Sequence, residues 1–164
     1  QRQLCIRDRW VRGPGVVKRY WGKPEATEAT FTEGWFHTGD VGKIDQHRFI
    51  YLDHRLKDML IRGGENIYCA EVESVLSEHP AVILACVFGL PHEVLGEQVA
   101  AVVQIGPDKT VSQQELQQFI ANRLAAFKVP AKIWTCTEPL PSGATGKVQK
   151  KEIRACYAER DPEA

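Results

Sequence analysis

The sequence has no excess of charge of either sign, because Lys and Arg number 21 and Asp and Glu also number 21. A protein that binds nucleic acid or an anionic membrane through its overall field needs a positive balance, so we expect no nucleic-acid partner. Long apolar runs are missing as well. The longest stretch without a polar residue or glycine is residues 81–88. Because a helix that spans a bilayer needs about 20 apolar residues, we predict no membrane span.

Metal-binding and secretory patterns are also absent. The five histidines form neither H-x-x-x-H nor H-E-x-x-H. No two cysteines have the C-x-x-C spacing of a zinc or redox site, and the five are Cys5, Cys69, Cys86, Cys136 and Cys156. The sequence therefore predicts no metal site. Scattered thiols and the lack of a signal-peptide pattern favour a cytoplasmic protein with reduced cysteines.

What remains is the composition of an ordinary globular chain of 164 residues, 43% apolar and 26% charged. This length suits one domain, or one small domain with part of another. In the first 34 residues, glycines and prolines recur at short intervals, which predicts loops and short strands and no long helix. Residues 49–52 and 59–61 are short strand candidates, and Gly63 and Gly64 close the second one.

From residue 69 onward, helical and extended patterns alternate. One helix is predicted from Cys69, another follows the capping box of Ser112 and Glu115, and a third carries Ile153 on its apolar side. Predicted strands cover residues 82–90, 98–105 and 132–136. This order favours an α+β fold in which helices pack on a short sheet, preceded by a β-rich segment.

The change in character falls at the charged stretch 55–58, between two short strands. We therefore predict that residues 1–56 form the end of one β-rich unit. Residues 57–160 are expected to form a small domain of their own, and the polar residues 161–164 a frayed end.

Three segments carry residues suited to chemistry. The first is G-W-F-H-T-G-D at residues 34–40, where the carboxylate of Asp40 could accept hydrogen bonds from two adjacent hydroxyls, as in a ribose. By pattern alone, T-G-D is more typical of a simple turn. The second segment, residues 53–67, joins a dense cluster of charges to the pair Gly63–Gly64. Glycines allow close approach of a ligand, but a tight turn explains this pair equally well.

The third segment is P-S-G-A-T-G-K-V-Q-K at residues 141–150, which presents Lys147 on a loop just before the last predicted helix. It differs from the G-x-x-x-x-G-K-[ST] phosphate loop, because Val148 follows the lysine and the glycine spacing is wrong. A cation on a flexible loop is suited to stabilising negative charge that develops in a transition state. The nearby Lys150 and Lys151 are predicted to lie on the solvated face of the helix.

Taken in order, these segments resemble the C-terminal third of the adenylate-forming (AMP-binding) enzymes, among them acyl-CoA synthetases, firefly luciferase and the adenylation domains of peptide synthetases. The resemblance extends from about Trp10 to Tyr157. It rests on G-W-F-H-T-G-D, on D-x-R-L-K-D-M-x-I-R-G-G-E-N-I with A-E-V-E, and on P-x-x-x-T-G-K-V-x-K. Within the family, R-G-P-G-V-x-x-x-Y-W and G-G-E-N-I are most similar to fatty-acid–CoA ligases. One departure is Cys69, which stands where close relatives have proline.

The resemblance implies roles for particular residues. Asp40 corresponds to the family's ribose-binding aspartate, and Arg55 to its arginine that contacts the nucleotide. Lys57 corresponds to the hinge between domains, and Gly63–Gly64 to the glycine turn beside the pantetheine channel. Lys147 corresponds to the lysine needed for adenylation.

The implied reaction uses ATP and coenzyme A as substrates. A carboxylic acid, of the fatty-acid type, attacks the α-phosphate of ATP to give acyl-AMP and pyrophosphate, and the thiol of coenzyme A then displaces AMP. The family's phosphate-binding loop, Mg²⁺ ligands and acyl pocket belong to a large N-terminal domain that is not in this sequence. Residues 1–56 would be the end of that domain, which is an expected partner of residues 57–160. We therefore expect the 164 residues alone to be inactive.

Two alternatives remain open at the level of sequence. An amino-acid-adenylating domain of the peptide-synthetase type would pass its acyl group to a carrier protein. A nucleotide-binding module of the same fold would have no catalytic activity, although Lys147 and Asp40 argue against it.

Overall fold

A computed structural model describes residues 7–144, 146–158 and 160, without the side chains of residues 7, 8, 53, 54 and 57. The chain divides into two compact units, the first ending at Lys57 and the second beginning at Asp58. The predicted frayed end at residues 161–164 lies outside the described residues. None of the described helices is both long and apolar enough to cross a bilayer.

The first unit is built on an antiparallel sheet whose long strand pairs with three others. Its elements are β1 (Arg7–Val11), α1 (Pro24–Thr30), β2 (Phe31–Thr32), β3 (Trp35–Ile44) and β4 (Ile50–Arg55). Strand β3 pairs with β1 and β2, and its second half pairs with β4. The expected strand at residues 49–52 is confirmed in β4.

One short element of this unit was not predicted, and one local interpretation was wrong. The short helix α1 was not predicted, because its N-terminus has no side-chain cap and its only strong start signal is Pro24 in the first turn. The T-G-D segment forms no turn between elements but continues β3. Gly39 has a φ of +70°, and the pairing of β3 with β4 is irregular between Val41 and Gly42. A sequence pattern for turns cannot distinguish such a distorted strand from a loop.

The second unit is a five-stranded sheet with three helices, which confirms the α+β prediction. Its elements are β5 (Met59–Arg62), β6 (Glu65–Tyr68), α2 (Cys69–Ser77), β7 (Val82–His92), β8 (Gly96–Ile105), α3 (Gln113–Ala121), β9 (Lys132–Cys136) and α4 (Lys150–Tyr157). Short 3₁₀ turns span Leu56–Asp58 and Ala126–Lys128. Strand β8 lies at the centre, antiparallel to β5 and β7 and parallel to β9. Strand β6 was not predicted from sequence.

Alternate residues of β7 and β8 point to opposite sides of the sheet, and apolar side chains pack against both faces. On one face Val87 and Ala101 pack with α2 and α3 through side chains such as Leu76 and Leu116. On the other face Phe88 and Val102 belong to a second cluster, with the members Cys86, Leu90, Ala100, Trp134, Leu140 and Ile153. Helix α4 and the segment around Lys147 therefore lie on the face opposite to α2 and α3.

The helix starts follow the sequence signals. The hydroxyl of Ser112 accepts a hydrogen bond of 3.1 Å from the backbone N–H of Glu115, as the capping box predicts. Helix α2 begins at Cys69 itself, and that side chain is buried. The predicted start of this helix at Cys69 is confirmed.

Candidate functional site

Asp40 and Arg55 lie opposite each other on the paired strands β3 and β4. The guanidinium Nε of Arg55 donates to Oδ1 of Asp40 at 2.8 Å. Asp40 is 23% exposed and Arg55 is 58% exposed, so both remain accessible to a ligand. The structure thus brings together the two residues that were predicted to contact a nucleotide, which lie 15 positions apart in the chain.

The backbone around Asp40 is held by Thr38. Its hydroxyl accepts a hydrogen bond of 3.0 Å from the N–H of Asp40 and donates one of 2.8 Å to the carbonyl of Arg9 on β1. A carboxylate can accept several hydrogen bonds, and Arg55 contacts only Oδ1. The Asp40 carboxylate is thus held through Oδ1 on a backbone that Thr38 ties to β1. Sequence reasoning assigned no function to Thr38.

Gly63 and Gly64 form the two-residue turn between β5 and β6, flanked by the pair Arg62 and Glu65. Their φ angles are +58° and +87°, a combination that fits a type I′ hairpin and that other residues adopt only with strain. The N–H of Gly63 donates to the carbonyl of Leu95 at 2.9 Å. The tight turn considered at the level of sequence is present, and the glycines leave its outer surface without side chains.

Glu97 supports the strand that leads into this turn, and sequence reasoning did not assign it a role. Its Oε2 accepts a hydrogen bond of 3.1 Å from the N–H of Ile61. Its Oε1 lies so near Gly89 that a Cβ there would come within 2.5 Å of it. The proximity of Glu97 to Gly89 and Ile61 could not be read from the sequence, because the three residues lie on different strands.

Lys147 projects from a small hairpin whose described residues are 141–144 and 146–149, here called the Lys147 hairpin. Ser142 and Val148 form a β-bridge, and the N–H of Gly143 donates to the carbonyl of Lys147 at 2.9 Å. Gly146, with a φ of +74°, makes the turn possible. The backbone of Lys147 is therefore held while its side chain is exposed.

Lys150 does not lie on a solvated face, contrary to the prediction. Its side chain is 29% exposed, and its Nζ lies 2.8 Å from Oε1 of Glu73 on α2. Burial lowers the pKa of Lys150, but the Glu73 carboxylate, together with Cys69 and Asp58, raises it, and the net result is a pKa above its ordinary value, so the lysine stays charged. A helical-wheel argument could not identify this, because the partner is on another helix.

Three further sequence predictions concern Lys57, the cysteines and metal binding. Lys57 lies in the 3₁₀ turn where the two compact units divide, and its role as a hinge stays a prediction. Burial raises the pKa values of Cys69 and Cys86 to about 12, so both thiols stay protonated. Within residues 7–144, 146–158 and 160, no three His, Cys, Asp or Glu side chains are grouped to hold a metal ion.

Residues 71–147 match the family model of the AMP-binding enzyme C-terminal domain. The matched region of this chain ends at Lys147. The chain belongs to the adenylate-forming (AMP-binding) enzyme family. It is 43% identical over 152 residues to the long-chain-fatty-acid–CoA ligase FadD13 of Mycobacterium tuberculosis, covering 93% of this chain and 30% of that protein. It is 40% identical over 150 residues to the oxalate–CoA ligase of Arabidopsis thaliana, covering 92% and 29%.

The fold agrees with this assignment. The structure of ATP-bound MatB from Rhodopseudomonas palustris superimposes with a TM-score of 0.86 at 37% identity, covering 97% of this chain and 32% of that one. The chain thus spans about a third of the length of the relatives that it matches. Its matched domain is the C-terminal domain of the family.

Proposed function

We propose that the complete protein is an AMP-forming acid–thiol ligase that activates a carboxylic acid as acyl-AMP and transfers the acyl group to coenzyme A. The observation that carries the proposal is the Lys147 hairpin, in which a backbone held by hydrogen bonds presents an exposed ammonium group. The family match over residues 71–147 and the two CoA ligases at 40% and 43% identity support it.

In the first half-reaction, two anions must approach each other, the carboxylate of the acid and the α-phosphate of ATP. The Nζ of Lys147 would lie between them, where it offsets their repulsion and stabilises the charge of the transition state. The carboxylate oxygen bonds to the α-phosphorus, and pyrophosphate leaves. Asp40 would accept hydrogen bonds from the ribose hydroxyls, with Arg55 keeping its carboxylate in place.

In the second half-reaction, the thiolate of coenzyme A attacks the acyl carbon and AMP leaves. A Cβ at Gly64 would meet nothing within 4 Å, so this part of the Gly63–Gly64 turn suits the close passage of a pantetheine chain. Because Lys147 and this turn lie in one compact unit, a rotation of that unit near Lys57 would present each surface in turn. ATP and Mg²⁺ binding by the complete enzyme follow from the same proposal, with the metal ligands outside this chain.

A fatty acid is the substrate class that we propose first, because a long-chain-fatty-acid ligase is 43% identical to this chain. A feruloyl-CoA synthase of Amycolatopsis is 44% identical and the oxalate ligase 40%, so identity over this region does not by itself separate ligases of different acids. The acyl pocket is expected in the N-terminal domain, so substrate choice has to be measured on the full-length protein. Thioester formation with acids from two to eighteen carbons would test this part of the proposal.

The decisive experiment is Lys147→Ala in the full-length protein. We expect acid-dependent ATP–pyrophosphate exchange to fall by about 10²- to 10³-fold, the range for loss of one group that stabilises transition-state charge. Thioester formation from supplied acyl-AMP should be largely kept. Lys151→Ala is the matched control, since it removes a neighbouring exposed lysine.

Three outcomes would contradict the proposal. Equal loss of both half-reactions in Lys147→Ala would argue against separate surfaces for the two steps. Exchange by the wild-type 164-residue chain alone would contradict the need for an N-terminal domain. Absence of any exchange in the wild-type full-length protein, together with tight nucleotide binding, would support the non-catalytic alternative.

A further inference from the structure

Strand β7 is an edge strand, and at Val87 two charged side chains contact its outward backbone groups. Among the described strands, β7 pairs with β8 alone. At Val87, the N–H donates to Oε1 of Glu73 at 2.8 Å and the carbonyl accepts from Nζ of Lys150 at 3.3 Å. Unpaired groups on an edge are costly when they are shielded from water, so these two side chains satisfy both backbone groups of Val87.

The same two side chains join helices from opposite faces of the sheet. Glu73 belongs to α2, which packs on one face, and Lys150 is the first residue of α4, which packs on the other. Their charged atoms meet at 2.8 Å around the edge of β7, with side-chain exposures of 23% and 29%. Because the pair is largely shielded from solvent and shares hydrogen bonds with the backbone, it is more than a surface ion pair.

Lys150 lies close to Lys147 in the chain, so the contact with Glu73 is connected to the Lys147 hairpin. Lys150 is three residues beyond Lys147, and the carbonyl of Pro141 accepts a hydrogen bond of 2.8 Å from the N–H of Gln149 between them. Helix α4 has no side-chain cap at its N-terminus. Ile153 anchors the middle of the helix in the core, and Lys150 ties its first turn to Glu73 and to the carbonyl of Val87. That turn is continuous with the base of the Lys147 hairpin.

We propose that Glu73 and Lys150 are positioning residues that hold the Lys147 hairpin in the orientation required for adenylation. This inference rests on the proposed function, because it assigns the pair a role through Lys147. Neither residue touches a reactant in this account. The pair sets where the base of the hairpin lies relative to the sheet, and a misplacement of about 1 Å at a reacting group can cost about 10²-fold in rate.

The test uses Lys150→Met in the full-length protein, which keeps an unbranched side chain one atom shorter and removes its charge. We expect kcat for pyrophosphate exchange to fall by about 10- to 100-fold, with thioester formation from supplied acyl-AMP within about twofold of wild type. Lys150→Arg should restore most of the exchange, since it can still contact Glu73 and the carbonyl of Val87. Lys151→Met is the matched control and should leave both rates unchanged.

A double variant separates positioning from general damage. If Lys150 acts through Lys147, Lys147→Ala combined with Lys150→Met should lose no more exchange than Lys147→Ala alone. A further loss in the double variant would overturn the inference, and so would equal loss of both half-reactions in Lys150→Met. If Lys147→Ala abolishes exchange and Lys150→Met does not lower it, the inference is wrong and the proposed function stands. If Lys147→Ala leaves exchange unchanged, the proposed role of Lys147 fails and this inference fails with it.

Discussion

The two compact units bury their apolar side chains to very different extents. In residues 58–164, the sheet is covered on both faces and has side chains as large as Ile67 and Leu116 fully buried. In residues 1–57, Val41 is the only buried hydrophobic residue among the side chains that the structure describes. Trp21 is 91% exposed and Phe49 is 65% exposed.

This contrast has a physical meaning. Backbone pairing and turn geometry can specify a sheet, as in β1 to β4, but most stability comes from burial of apolar surface. On β4 the three consecutive residues Ile50, Tyr51 and Leu52 are all about half exposed, so neither face of the strand is covered within its own unit. Such a strand fits a sheet that is completed by other residues. The exposure of β4 agrees with the prediction that residues 1–56 are the end of a larger domain. This assignment of residues 1–56 stays a prediction.

The largest effect is expected when the two units are separated. We expect residues 58–164 expressed alone to unfold in one cooperative thermal transition, because they contain both buried clusters. Residues 1–57 alone should show no such transition, because they have almost no core. Circular dichroism and the dispersion of amide NMR signals would measure both. A cooperative melt of the first fragment, or none of the second, would contradict the comparison.

A matched pair of isoleucines gives the next largest effect. Ile120 on α3 is 0% exposed, and Ile44 at the end of β3 is 51% exposed. Ile120→Ala should lower the free energy of unfolding of the 164-residue chain by about 2–5 kcal/mol, since it removes buried methyl groups and leaves a cavity. Ile44→Ala should change it by about 0.5 kcal/mol or less. Denaturant unfolding measures both, and similar losses would mean that the first unit buries more than its structure indicates.

A matched pair of glycines tests packing density on a smaller scale. A Cβ at Gly89 would lie 2.5 Å from Oε1 of Glu97 and 2.9 Å from a methyl group of Leu60, whereas a Cβ at Gly13 would meet nothing within 4 Å. Gly89→Ala should therefore cost about 1–3 kcal/mol of unfolding free energy. Gly13→Ala should stay within about 0.5 kcal/mol of wild type. A neutral Gly89→Ala would indicate that Glu97 can move away without cost.

Much of the second unit could be predicted from sequence. Its three described helices and four of its five described strands were predicted, Ser112 caps α3, and two adjacent glycines make the turn after β5. The missed elements have weaker signals. Strand β6 (Glu65–Tyr68) begins with two polar residues and buries Ile67 alone, and α1 has no side-chain cap. Residues 35–44 were misjudged because Gly39 and the irregular pairing beside it hide a strand.

The residues of the candidate site also include some that the sequence identified and some that it did not. The motif order identified Asp40, Arg55, Gly63–Gly64 and Lys147 as candidates, because the family resemblance is carried by contiguous residues. It did not identify Glu97 or Lys150, whose partners lie far along the chain. Glu97 accepts a hydrogen bond from an N–H that lies 36 positions away in the chain, and Lys150 donates one to a carbonyl that lies 63 positions away.

By itself, the sequence determined the α+β class, the helix starts, the glycine turn and a family whose chemistry involves adenylation. These depend on signals that act within a few residues, such as capping, periodicity and left-handed backbone conformations. Only the tertiary structure decided that Arg55 would contact Asp40, that β7 would be an edge strand, and that Lys150 would reach Glu73 around it. Strand order and burial determine those contacts, because a lysine on an exposed face and one at a strand edge have the same local sequence.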